Sequence, residues 1–79
     1  MILQTKEETH VKLSARNMLK GTVKSVNPGA VNTEVVLALG GGVEVVSIIT
    51  KQSAESLGLE VGKEAYAVVK ASNVMIAVD

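Results

Sequence analysis

The sequence lacks most of the residues from which small enzymes and metal sites are built. Its 79 residues include no cysteine, which excludes a disulfide, a thiolate zinc site and a cysteine nucleophile. The single histidine, His10, excludes a two-histidine metal motif, and it has no acidic partner at a motif spacing. Tyr66 is the only aromatic residue, so the chain lacks the stacking platforms of single-strand nucleic-acid binders. We therefore expect no catalytic residues, no direct ligands of a metal cation and no nucleic-acid partner.

An excess of charge of one sign is also missing. Eight Lys and Arg residues balance eight Asp and Glu residues, so the formal net charge is zero. The broad basic field of a nucleic-acid or anionic-membrane binder is therefore absent. No hydrophobic run approaches the length of a membrane span, and the first residues contain no apolar run suited to a signal peptide. These features predict a cytoplasmic protein without a membrane partner.

Aliphatic residues are plentiful. Hydrophobic residues make up 47% of the chain and include fourteen valines, which favour strands over a helical bundle. A chain of this length buries only about 60% of its unfolded surface when it folds alone. So large an apolar fraction predicts strands covered on both faces, with part of the cover provided by another copy of the chain.

The order of the segments predicts the fold. A polar segment, 1–12, is an arm, an extra edge strand or a leader, and 13–79 form the single domain. Strand-like runs occur at 19–26, 32–39, 43–49, 64–70 and 74–78. Three glycines join the second and third runs into a hairpin, and a short helix over 50–58 follows the third. We therefore predict an all-β, five-stranded, OB-like Greek-key barrel with one short helix between strands 3 and 4.

One stretch of the chain concentrates cations and hydrogen-bond donors. Four cations share sequence parity, so an extended backbone projects them towards one face; they are Lys12, Arg16, Lys20 and Lys24. Among them lies a run with a hydroxyl, a guanidinium and an amide, Ser14-Ala15-Arg16-Asn17. This stretch is either an anion-binding surface or simply a solvated strand face.

Two further places favour an anion. The helix start offers hydroxyls and free backbone N–H groups at Thr50 and Ser53, although these residues also suit a plain helix cap. Lys70 ends a strand beside a turn, Ala71-Ser72, whose N–H groups form a concave nest in the functional interpretation and an ordinary strand end in the simpler one. Together the three places predict binding of a small oxyanion, mainly by hydrogen bonds.

Several of these motifs, in this order, resemble the molbindins, small molybdate-binding proteins built from a Mop or TOBE-type domain. The matching runs are Ser14-Ala15-Arg16-Asn17, Leu19-Lys20-Gly21, Ala30-Val31-Asn32-Thr33-Glu34-Val35, Ser47-Ile48-Ile49-Thr50, Glu64-Ala65-Tyr66-Ala67-Val68-Val69-Lys70-Ala71-Ser72 and Val74-Met75-Ile76. The resemblance implies an OB-like barrel that exchanges strands within a dimer, and a homohexamer formed as a trimer of dimers. It also implies binding of molybdate, and of tungstate, at subunit interfaces for cytoplasmic molybdenum storage and homeostasis.

The resemblance also implies a set of anion-binding residues. The side chains carried over are those of Ser14, Arg16 and Lys70, with the backbone of Ala15 and the Ala71-Ser72 turn. Asn17 belongs to the same donor run, and Thr50 and Ser53 complete the pocket, from the same chain or from a neighbouring one. The alternative is a regulatory or interaction module, in which the same barrel senses the anion for a partner protein.

Overall fold

The fold is a curled antiparallel sheet with one short helix. The computed structural model describes residues 16–79. The predicted arm at 1–12 and the candidate residues Ser14 and Ala15 lie outside this range. The elements are β1 (Asn17–Pro28), β2 (Asn32–Gly40), β3 (Val43–Thr50), α1 (Lys51–Leu57), β4 (Glu64–Val69) and a 3₁₀ turn (Ala71–Asn73). The first four predicted strands and the helix are therefore confirmed, with ends shifted by up to two residues.

Local chemistry explains the hairpin and the helix. Gly40, Gly41 and Gly42 all have positive φ, at 103°, 61° and 83°, which is the backbone that a tight hairpin between twisted strands requires. At the helix start, the Thr50 hydroxyl accepts a hydrogen bond from the Ser53 N–H at 3.0 Å. The helix ends at Gly58 in the left-handed conformation, with φ of 63°.

The longest strand, β1, is the centre of the sheet. The strand order is β3-β2-β1-β4, and all three neighbouring pairs are antiparallel. The first half of β1 pairs with β4 and the second half with β2, with a register shift between Val23 and Ser25. The backbones of β1 and β2 approach closely at Gly21, where an added Cβ would lie 2.8 Å from the Ala38 carbonyl oxygen. One long, bulged strand therefore curls the sheet.

The hydrophobic core is small. Val23, Val35 and Leu37 form the buried cluster, and Ala54 of α1 is also buried. Thr33 is the one buried polar residue in the described part of the chain. A core of this size supplies little stability to a lone domain, in keeping with the prediction that another copy completes the packing.

The predicted fifth strand is not a strand within this chain. Residues 74–79 pair with no strand of the described residues 16–79, and the exposed fractions of Met75, Ile76 and Val78 are 93%, 86% and 89%. The tightest hairpin turns require positive φ. No residue of Ala71–Asn73 has positive φ; these residues form a 3₁₀ turn instead.

The missing strand leaves an open apolar groove between the two edges of the sheet. β3 and β4 are both edge strands, and a cavity of about 490 Å³ lies between them. Its walls include Val45 and Ile49 of β3 together with Ala65 and Ala67 of β4. In a five-stranded barrel one further strand between these edges would close the structure.

Candidate oxyanion site

Two cations flank one end of the β1–β4 pair. The ladder runs from Thr22 opposite Glu64 to Asn17 opposite Val69. Arg16 directly precedes β1 and Lys70 directly follows β4, so both adjoin the last pair of the ladder. The side chains of Arg16 and Lys70 are both exposed.

The Asn17 side chain holds this end of the sheet in register. Its Nδ2 donates a hydrogen bond to the Val69 carbonyl oxygen at 3.1 Å, and the bond is partly buried. It joins the residue after Arg16 to the residue before Lys70. Asn17 was predicted as an anion donor, but in the described structure one of its amide N–H groups is used to position the two cations.

The turn after Lys70 adds N–H groups at the same end. The Asn73 N–H donates to the Lys70 carbonyl at 2.8 Å, and the Val74 N–H donates to the Ala71 carbonyl at 3.2 Å. The first N–H groups of a helical turn have no partner within the turn. Those of Ala71 and Ser72 accordingly have no backbone acceptor among residues 16–79. The Ser72 hydroxyl beside them is exposed and can donate a hydrogen bond.

Other lysines of the described chain are paired with carboxylates. Lys20 lies 3.5 Å from Glu64, and Lys24 forms an ion pair with Glu44. No carboxylate within residues 16–79 pairs with Arg16 or Lys70. Within the described residues, these two cations at the Asn17 end of the sheet therefore have no ion pair.

The structure supports only part of the prediction that four cations share one face of the chain. Lys24 lies at the β1 bulge, where the register shifts and simple alternation fails. Lys20 and Lys24 have carboxylate partners, and Lys12 lies outside the described residues. Of the four, Arg16 alone remains as a candidate ligand in the described structure.

Thr50 and Ser53 lie at the other end of β1. Thr50 is opposite Asn32 at the start of β2, beside the end of β1 at Pro28. Eleven steps from Asn17 to Pro28 correspond to about 36 Å along an extended strand. The hydroxyls of Thr50 and Ser53 lie 2.8 Å apart and cap α1. One chain therefore does not unite them with Arg16 and Lys70, and they can join that site only from a neighbouring copy.

The sequence did not predict two features of the site region. One is the positioning contact of Asn17, and the other is the open groove between β3 and β4. Neither has a local signal, because each depends on which strands are neighbours in the sheet. The position of Arg16 and Lys70 at one end of the β1–β4 pair also depends on the strand register, which the sequence alone does not specify.

Residues 16–79 contain no group of three His, Cys, Asp or Glu side chains that could hold a metal ion. Within the same range, no helix has the length and apolar character needed to cross a membrane. The donors at the Arg16 end are instead cations and N–H groups, which suit an anion.

Comparisons with known proteins agree with this architecture. The TOBE domain family matches residues 13–76. A probable molybdenum-pterin-binding protein of Haemophilus influenzae is 48% identical over 69 residues, which cover 87% of this chain and 100% of the relative. The structure of MopII from Clostridium pasteurianum has a TM-score of 0.78 at 48% identity, covering 85% of this chain and 100% of that chain. The cytoplasmic molybdate-binding protein ModG, with molybdate bound, has a TM-score of 0.80 at 54% identity, covering 86% of this chain and 48% of that one.

The curled sheet with its one short helix defines a small OB-like β domain. The chain belongs to the TOBE domain family. The resemblance to Mop-type proteins drawn from the sequence motifs is thereby confirmed.

Proposed function

We propose that the protein binds molybdate, and tungstate, as an intact oxyanion between the Arg16 guanidinium and the Lys70 ammonium. The observation that supports the proposal is that Arg16 and Lys70 both adjoin the last β1–β4 pair, Asn17 and Val69, and have no carboxylate partner among residues 16–79. The N–H groups of Ala71 and Ser72 and the Ser72 hydroxyl add donors at the same end. Ser14 and Ala15, immediately before Arg16 in the sequence, complete this cluster. Asn17 acts as the positioning residue.

The donor set favours a tetrahedral dianion without a proton. Cations and backbone N–H groups only donate hydrogen bonds, so they offer no acceptor to the P–OH proton of hydrogen phosphate. Sulfate has the same charge and shape as molybdate, and only the size of the pocket separates the two. Selection between them therefore requires walls of fixed geometry, such as a second subunit provides.

A second copy is the source of those walls in this proposal. The groove between β3 and β4 is one strand short of a closed barrel, while residues 74–78 form an apolar segment with no strand partner among residues 16–79. Exchange of this segment between two chains completes both barrels. Thr50 and Ser53 then reach the anion from a neighbouring copy, as their distance from Arg16 within one chain requires.

The biological role that follows is storage and homeostasis of molybdenum in the cytoplasm by a homohexamer, a trimer of such dimers. The protein is a binding protein and not an enzyme. Its relatives include proteins named for binding of molybdenum-pterin and of molybdate. Binding without chemical change of the ligand is consistent with a site made of hydrogen-bond donors.

Titration calorimetry with molybdate and with sulfate tests the proposal. The wild-type chain is expected to bind molybdate more tightly than sulfate. Each charge-assisted hydrogen bond contributes about 1.5–3 kcal/mol, so Arg16→Ala and Lys70→Ala are expected to weaken molybdate binding roughly 10- to 150-fold. Lys20→Ala and Lys24→Ala are matched controls, because each removes one positive charge away from the site.

The controls separate a local site from a general effect of charge. They are expected to retain affinity within about threefold, since exposed ion pairs contribute little. Equal affinity for the two anions, absence of binding, or equal losses in all four variants would contradict the proposal. Arg16→Ala is also expected to keep the assembly intact on a sizing column, because its side chain is exposed.

A further inference from the structure

One of the sequence runs that resemble the molbindins contributes no residue to the proposed anion site. This run, Ala30-Val31-Asn32-Thr33-Glu34-Val35, covers the start of β2. Thr33 within it is the one buried polar residue of the described chain, with an exposed fraction of 2%. It lies opposite Pro28 of β1 and Ile49 of β3. A hydroxyl buried to this extent requires a hydrogen-bond partner, because an unpaired buried polar group is costly.

The described residues do not supply that partner. The side-chain hydrogen bonds within residues 16–79 are formed by Asn17, Lys24, Asn27, Thr50, Ser53 and Lys63. Thr33 takes part in none of them as donor or acceptor. In folded proteins the great majority of buried side-chain polar atoms are bonded either to protein or to ordered water. The Thr33 hydroxyl therefore needs a partner beyond these contacts.

A cleft beside Thr33 has room for such a partner. It has a volume of about 240 Å³ and lies between α1 and the adjoining ends of β1 and β2. Val26, Pro28 and Leu59 contribute apolar walls, and Ala54 of α1 also borders the cleft. One water molecule occupies about 30 Å³ and requires two to four polar neighbours. The volume is therefore sufficient for more than one water.

Polar groups border the same cleft on the side of α1. They belong to three charged residues, Lys51, Glu55 and Glu60. Lys51 and Glu55 are exposed and have no ion-pair partner among residues 16–79. A hydroxyl both donates and accepts hydrogen bonds, so the Thr33 hydroxyl can bond to a water that bonds in turn to the α1 side of the cleft.

We propose that the Thr33 hydroxyl binds a water molecule in this cleft and that the water joins Thr33 to α1. A helix of seven residues depends on tertiary contacts for its stability, and Ala54 is the buried residue of α1. The water adds a polar contact beside this apolar one. Because α1 begins directly after Thr50 and contains Ser53, Thr33 is then a positioning residue for both hydroxyls. This positioning role rests on the proposed function.

High-resolution crystal structures of the wild-type chain and of Thr33→Val test the water site. Valine keeps the shape of threonine and removes the hydroxyl. The wild-type structure is expected to show a water oxygen about 2.7–2.8 Å from the Thr33 Oγ1, and the variant structure is expected to lack this water. A wild-type cleft without it, a protein atom as the partner of the hydroxyl, or a water that stays in place in Thr33→Val overturns the proposal.

Urea unfolding provides a test that depends on the sign of the change. Thr33→Val is expected to lower the ratio of folded to unfolded chains about 2- to 13-fold, the range for one lost hydrogen bond. Thr22→Val is the matched control, because Thr22 is exposed on β1 and the ratio should stay within about twofold. A buried hydroxyl without a partner gives the opposite sign, since valine removes its cost. Equal or greater stability of Thr33→Val therefore refutes the proposal.

Calorimetry with molybdate tests the positioning role separately. Thr33→Val removes no proposed ligand, yet it is expected to weaken molybdate binding at least about threefold, because the hydroxyls carried by α1 lose a supporting contact. Thr33→Ser keeps the hydroxyl and is expected to bind as the wild-type chain does. Unchanged affinity of Thr33→Val overturns the positioning role. Absence of molybdate binding by the wild-type chain refutes the proposed function and the positioning role with it, whereas the water itself is judged from the crystals.

Discussion

Mixing Arg16→Ala with Thr50→Ala tests whether the molybdate site is formed by residues of two chains. Thr50 lies at the Pro28 end of β1, about 36 Å along the strand from the Arg16 end. We therefore predict that Arg16→Ala and Thr50→Ala each lose tight molybdate binding alone. A hydroxyl bonded to a charged ligand contributes about 1.5–3 kcal/mol, so Thr50→Ala is expected to weaken binding roughly 10- to 150-fold.

Refolding the two variants together at equal concentration is expected to restore part of the binding. About half of the Arg16 ends are intact in the mixture, and about half of those have a neighbour with an intact Thr50, for any cyclic assembly. The mixture should then show about one quarter of the wild-type number of tight sites by calorimetry. Thr50→Ser, which keeps the hydroxyl, is the control that should bind as the wild-type chain does.

Two results would refute this reasoning. If Arg16 and Thr50 act within one chain, the mixture will show no tight molybdate sites, because no chain in it carries both residues. If Thr50→Ala binds molybdate with wild-type affinity on its own, the hydroxyl serves only as the cap of α1. The number of tight sites in the mixture, measured against the two separate variants, distinguishes these cases.

Three further predictions concern stability, measured by urea unfolding at a fixed protein concentration. Gly21→Ala places a Cβ 2.8 Å from the Ala38 carbonyl oxygen, and this overpacking is expected to cost about 1–3 kcal/mol; a stabilised variant would contradict the close approach of β1 and β2. Thr50→Ala removes the cap bond to the Ser53 N–H and is expected to cost about 1 kcal/mol; an unchanged midpoint would exclude the cap. Leu37→Ala empties part of the three-residue core and is expected to cost about 2–5 kcal/mol; a loss below 1 kcal/mol would mean that Leu37 is not central to the core.

Elements specified by nearby residues were predictable from the sequence. The hairpin follows from three consecutive glycines, and α1 follows from Thr50 at its start and Gly58 at its end. Both signals act over a few residues and need no tertiary partner. The ends of β1 were less predictable, because pairing with β4 extends the strand back to Asn17 and pairing with β2 extends it to Pro28.

Features that depend on strand neighbours were not predictable in this way. Alternation predicted that Lys20 and Lys24 would share a free cationic face, but the bulge in β1 and the register bring Glu64 and Glu44 to them. The fifth strand was predicted from its composition alone. Composition indicates that a segment requires cover on both faces but not which chain provides it. In the described part of the chain, residues 74–78 have no strand partner.

The candidate site likewise combines features that were predictable from the sequence with features that depend on the fold. The donor-rich run around Arg16 and the turn after Lys70 were visible in the sequence as separate places. Their union at one end of the β1–β4 pair required the register, and the role of Asn17 required its contact with the Val69 carbonyl. The placement of Thr50 at the other end of β1 is likewise a property of the topology.

A crystal structure of the protein grown with molybdate, recorded with anomalous scattering from molybdenum, tests the central claim most directly. The account predicts a tetrahedral oxyanion whose oxygens accept hydrogen bonds from the Arg16 guanidinium and the Lys70 ammonium of one chain, at a boundary with a neighbouring copy. A molybdenum peak elsewhere in the molecule, with these two side chains contacting only solvent, would contradict it.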